Sequence, residues 1–160
     1  MKKILVTLLI VAAMFSVYGC TAANTQVADP FKEASLEDIL NGLYEGLSDD
    51  MPVLMQTEIT SENAEWYLGT NEIDFQEGIA SEPMMNAIAH SVCVLRMKEG
   101  ADVEAAKNLI SDKVNPDKWI CVGVEKSNVI VDSAGSVIVL IMSNENAADI
   151  QANFKSMQGK

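Results

Sequence analysis

From residue 35 onward, the apolar positions fall into short runs with helical or strand spacing. In "SLEDILNGLYEGLS", Leu36, Ile39, Leu40, Leu43 and Leu47 share one helical stripe. Ser35 stands where an N-cap can accept from the backbone N–H of Asp38, and Glu37 and Asp38 suit the positive helix end. Residues 48–59, with Pro52, read as a connector, and "TSENAEWYLG" as a short helix capped by Thr60 or Ser61 and stopped by Gly69. Residues 73–82 are strand-like up to the break at Pro83, with a turn at Met84 to Ile88. "AHSVCVLRM" predicts a strand over 89–97, with Val92 and Val94 on one face and Cys93, Leu95 and Met97 on the other. "KEGADVEAAKNLISDKV" predicts a helix with Val103, Ala106, Leu109, Ile110 and Val114 on its stripe, whereas residues 115–127 show no clear period. "NVIVDSAGSVIVLIMS" reads as a hairpin turning around Asp132 to Ser136, where Gly135 can take the left-handed conformation. The last segment, "NENAADIQANFKSM", predicts a helix capped by Asn144, with Ala147, Ile150, Phe154 and Met157 inward.

One run decides the fold class. Residues 137–142 are apolar on both faces, with Val137, Val139 and Ile141 against Ile138, Leu140 and Met142. Such a strand must be covered on both sides. The expectation is an α+β domain: a small antiparallel or mixed sheet of about three to four strands, including the C-terminal hairpin, covered by helices or a partner.

The N-terminus follows another logic. Met1-Lys2-Lys3 precedes Ile4 to Val17, in which Thr7 and Ser16 alone are polar. As a helix this run spans about 21 Å, short of a bilayer core of about 30 Å. It reads as a secretory signal rather than a spanning helix. Val17-Tyr18-Gly19-Cys20 resembles the bacterial lipobox, in which the cysteine thiol receives a diacylglycerol and the signal is cut just before it. Tyr18 departs from that pattern, which prefers a small residue there. The resemblance implies lipidation at Cys20, membrane attachment through that lipid and a location at the cell membrane facing outside the cytoplasm. Two acyl chains suffice for stable anchoring. The expected organisation is a signal peptide over 1–19, lipidated Cys20 with a flexible tether over 20–34, and one α+β domain over 35–160.

Charge excludes some partners. Lys2 and Lys3 belong to the signal and no acid does, so the remaining chain holds nine bases against 23 acids, a net charge near −14. Nucleic acid and flat docking on an anionic leaflet both call for clustered Lys and Arg, so neither is expected. Beyond Cys20 only Cys93 and Cys121 remain, able to pair or to stay as thiols, and their spacing fits no zinc motif.

"EGIASEPMMNAIAHSVCVLRMKEGADVEAAKNLI" and "NPDKWICVGVEKSNVIVDSAGSVIVLIMSN" resemble a family of small bacterial cell-surface lipoproteins, chiefly from Gram-positive anaerobes, whose domain has no assigned function. The resemblance implies an α+β fold and a lipid anchor, and no catalytic residues. The residues themselves agree on the last point. His90 and Ser91 are adjacent on a predicted strand and point to opposite faces, so one cannot orient the other. No phosphate-binding glycine loop, Rossmann pattern, calcium loop or zinc-protease motif occurs. Met51, Met55, Met84 and Met85 carry thioethers that suit Cu(I), but methionine more often fills core gaps or lines adaptable surfaces. No metal, cofactor or catalytic site is therefore expected. Trp66, Tyr67, Met84, Met85 and Trp119 form the candidate surface for a ligand or partner. The leading reading is a non-enzymatic lipoprotein that binds an envelope partner, a small ligand or a second copy of itself. The alternative is a cell-envelope hydrolase using scattered carboxylates, which needs two acids facing one cleft.

Overall fold

The computed structural model describes residues 29–48 and 51–159. Its elements run α1 (Leu36–Leu43), β1 (Leu54–Glu58), α2 (Ala64–Leu68), β2 (Phe75–Pro83), β3 (His90–Met97), α3 (Val103–Lys113), β4 (Val129–Ala134), β5 (Val137–Ser143) and α4 (Ala147–Met157). The strands form one antiparallel sheet in the order β1-β2-β3-β5-β4. The α+β class is as expected, with five strands in place of three to four.

The two central strands explain the architecture. β3 and β5 pair from His90↔Ser143 to Arg96↔Val137, and every residue of both is buried. Val92, Val94, Val137, Val139 and Ile141 face α1 and α4. Cys93, Leu95, Ile138, Leu140 and Met142 face α2, α3 and Trp119. Strand 137–142 is therefore doubly covered, and Leu140 is 1% exposed. In α1 the leucine stripe packs inward, and Ser35 Oγ accepts from Asp38 N at 3.0 Å as its position predicts.

Elsewhere the boundaries differ for local reasons. β1 lies inside the expected connector. It is an edge strand exposed at most positions, so its sequence carries no apolar alternation. α2 is shorter than the stretch 60–69 suggests, and it ends at Gly69 with φ 78°. A Cβ there would lie 2.1 Å from the carbonyl oxygen of Lys113, so that glycine also lets α2 approach the end of α3. α3 begins later, where Asp102 accepts from Ala105 N at 2.9 Å. Asn144 is not the cap of α4. Its Oδ1 accepts from Glu125 N at 2.9 Å and its Nδ2 donates to Gly123 O at 3.0 Å, so it ties down the aperiodic loop, while Ser143 Oγ accepts from Asn146 N.

The expected tether over 20–34 requires correction at its C-terminal end. Phe31 is 2% exposed and stacks on Phe154 of α4, with ring centroids 5.3 Å apart. Arg96 of β3 donates to Phe31 O at 3.0 Å and to Ala34 O at 2.5 Å, and pairs with Glu77 at 2.7 Å. Asp29 Oδ2 accepts from Ser136 N and Ser136 Oγ at 2.9 and 2.6 Å, closing the β4–β5 turn. Burial opposes ionisation of Asp29, but bonds from Ser136 and Phe31 and the charge of Arg96 outweigh it and hold its pKa below the usual carboxylate value. A Cβ on Gly135 would lie 2.3 Å from the Asp29 carboxyl, so the turn glycine makes room for the clasp as well as supplying φ 58°. Residues 29–34 thus belong to the folded domain. The remainder of the expected tether, Cys20 and the signal segment lie outside the described residues.

Candidate interaction pole

The sheet has two distinct ends. At one, Asp29 holds the β4–β5 turn beside Arg96. At the other, β1 and β3 begin while β2 and β5 end. The exposed large apolar side chains among the described residues are Val53, Met55, Trp66, Met84, Met85, Ile120 and Val122, and they gather at this second end. Leu54 pairs with Pro83, so Val53 and Met84 lie one step beyond on neighbouring strands. Met55 stands opposite Glu82, and Trp66 Nε1 donates to Glu82 Oε2 at 3.4 Å. Ile120 N donates to Asn86 O at 2.9 Å, which joins the loop of Ile120 and Val122 to that of Met84 and Met85. Val122 also lines an open cleft of about 410 Å³ with Met51, Pro52, Ile88 and His90.

Of the five residues expected to form a surface, Trp66, Met84 and Met85 are exposed, with the two methionines at 71% and 64%. Tyr67 is half-buried, and Trp119 is turned into the core at 6% exposure. The three aromatic residues do converge, but around the chain's own Lys118. Its Nζ lies 5.2 to 5.4 Å from the ring centroids of Trp66, Tyr67 and Trp119. The Lys118 side chain is 3% exposed and pairs with Glu82 at 2.5 Å, with Trp66 O and Ser91 Oγ each at 3.4 Å. An ammonium taken out of water needs a counter-charge and polarisable faces, and this site supplies both. The aromatic groove is therefore filled from within, and the surface left for a partner is its apolar rim.

Lys118 and Glu82 are the residues that sequence reasoning missed. Lys118 lies in the aperiodic loop, where no pattern marks it as buried. The other reactive types have structural surroundings. Ser91 is fully buried, so its hydroxyl cannot meet a substrate despite its lysine neighbour. Cys93 is buried too, and burial pushes its thiol up to about 11, while Cys121 is an exposed thiol, so the two are unpaired. His90 lies on the other face of β3, where its Nε2 shares a hydrogen bond of 3.0 Å with Tyr44 Oη. Burial lowers His90 to about 4 against the opposing pull of Glu82, so the ring is neutral at neutral pH. Burial raises the Tyr44 phenol, which stays protonated.

Met51 Sδ accepts from Asn146 Nδ2 at 3.1 Å, and no cluster of three or more His, Cys, Asp or Glu residues able to hold a metal occurs among the described residues. Nor is any helix among them long and apolar enough to cross a membrane. The chain matches no protein-family model, no curated protein and no solved structure, so this geometry is the ground for a functional reading.

Proposed function

We propose that this chain is a lipid-anchored extracytoplasmic domain that binds an envelope protein partner non-covalently through the apolar pole of its sheet. The observation that carries the reading is the gathering of the exposed large apolar side chains at one end of an otherwise acidic domain. Single exposed apolar residues are ordinary, but a contiguous set marks an interaction surface. The lipobox-like Val17-Tyr18-Gly19-Cys20 supports the anchor, and the likeness to small surface lipoproteins belongs to the same proposal. Asp29 lies at the opposite end of the sheet and nine residues from Cys20, so in this reading the attachment is nearer that end and the apolar pole faces other envelope components.

Two measurements test this reading. Mass spectrometry of the mature N-terminus should find acylated Cys20, and Cys20→Ala should leave the membrane fraction. An unmodified protein that still sediments with membranes would remove the anchor. A photo-crosslinking residue at Met84 should give a discrete protein adduct on intact cells, while the same residue at Lys107 on α3 should not. Equal labelling from both positions would remove the apolar pole as the binding surface.

A further inference from the structure

The two edges of the sheet are treated differently. β4 is half-buried at every position, with α3 and α4 packed against it. β1 is exposed at Met55, Gln56 and Glu58 and lies beside the apolar pole. Ile59 N donates to Gly78 O at 2.8 Å, which makes Ile59 and Gly78 a hydrogen-bonded pair. Alternation along an antiparallel ladder then turns the backbone groups of Thr57 and Met55 toward β2 and those of Leu54, Gln56 and Glu58 outward. Pro83 opposite Leu54 agrees, because it has no N–H to give. Glu58 O is taken by Asn63 Nδ2 at 2.9 Å. The outward N–H and C=O of Leu54 and Gln56 have no partner among the described residues. β1, "LMQTE", also lacks the lysine or proline that ordinarily guards an open edge.

Charge indicates what fits there. The segments building this pole, 51–56, 61–67, 82–91, 117–123 and 143–146, hold the acids Glu62, Glu65, Glu82, Asp117 and Glu145. Their one Lys or Arg is Lys118, which is buried and paired with Glu82, so Glu62, Glu65, Asp117 and Glu145 carry the uncompensated charge of these segments. We infer that β1 is a strand-addition site, which takes an extended segment of a partner protein carrying apolar side chains interleaved with Lys or Arg. Backbone bonds to Leu54 and Gln56 would hold the segment, and the apolar rim and surrounding carboxylates would select its side chains. A second copy of this chain brings the same acids to the same edge, and an anionic bilayer repels them, so both are disfavoured occupants. The inference rests on the binding reading above and adds the strand and the partner chemistry.

The test uses the full-length protein in detergent and a capped ten-residue peptide of alternating Lys and Val. Binding should shift the amide resonances of Leu54 and Gln56 and weaken as salt is added. A Glu-Val peptide should not bind. A Lys-Val peptide N-methylated at alternate positions keeps its side chains but loses its bonding edge, and should bind roughly tenfold more weakly. Gln56→Pro removes an outward N–H without touching the β1–β2 ladder and should weaken binding similarly, with Met55→Lys as a second variant whose charge repels the peptide. The inference is overturned if no Lys-Val binding occurs, if the Glu-Val or N-methylated peptide binds equally well, or if both variants bind as the parent does. It is also overturned if the mass doubles through β1 without peptide, which assigns the edge to a second copy. Protection of Leu54 and Gln56 by vesicles of anionic lipid alone overturns it in favour of a membrane. An adduct from Met84 on cells with no peptide binding removes strand addition and leaves the binding reading standing. Peptide binding without that adduct removes the binding reading, and the inference of an envelope partner falls with it.

Discussion

His90 shows how one buried ring makes stability depend on acidity. Its folded pKa of about 4 lies below the ordinary value of 6.5, so folding favours the neutral ring. That contribution is fully present above pH 6.5 and is lost as pH falls toward 4, a loss of about 3 kcal/mol. The Asp29 clasp acts in the same direction, because its pKa is also lowered and its stabilisation disappears as the carboxyl protonates. Urea midpoints at pH 7 and pH 4 should therefore differ less in His90→Gln than in the parent, and an equal difference would show that His90 does not titrate in this way. Lys118 makes a second residue-scale case. Lys118→Met should destabilise by about 3 kcal/mol, because the Glu82 side chain, 17% exposed, is left beside the Trp66 ring without its cation. Adding Glu82→Gln should recover much of that loss. Additive effects in thermal or urea unfolding would show that the two side chains do not act as a pair.

At the scale of elements, the segment before α1 works as a strap across one end of the sheet. Phe31 fills a position against Phe154 of α4, Arg96 reaches two carbonyls of the segment, and Asp29 closes the β4–β5 turn. Phe31→Ala should cost about 3 kcal/mol through lost burial and the cavity it leaves. A change below about 0.5 kcal/mol in the unfolding free energy would return this segment to the status of a loose tether. The central strands need no such device, since each buries side chains on both faces between the two helix layers. β1 depends on β2 alone for its ladder, and that dependence is what leaves its other edge open.

At the scale of the whole molecule, the two ends of the sheet have different chemistry. From Ser143 to Val137, β5 carries the structure about 20 Å from the apolar pole to the turn held by Asp29. The nine residue steps from Cys20 to Asp29 span at most about 30 Å. With the lipid in a bilayer, a fluorophore at Met84 should be quenched less by a headgroup-attached quencher than one at Lys32, which lies beside the Asp29 clasp. Equal quenching would place the domain on its side and take the apolar pole out of its outward position. The net charge near −14 of the chain from Cys20 onward opposes that collapse on an anionic leaflet.

The parts legible in the sequence alone were those in which one chemical preference repeats within a single element. The leucine stripe of α1, the Ser35 cap, the alternation in β3 and the two apolar faces of β5 are all of this kind. From them follow the helix positions, the hairpin and the need for cover on both sides of the sheet. Contacts made by single residues between distant segments leave no such period. Asp29 on Ser136, Arg96 on Phe31 and Lys118 against Glu82 were settled only when the chain folded. The same holds for the two tryptophans, alike in the sequence, of which packing turns Trp119 inward and leaves Trp66 on the rim. The edge at β1 belongs with them, because an edge is a property of the sheet's order, which depends on strand pairings far apart along the chain.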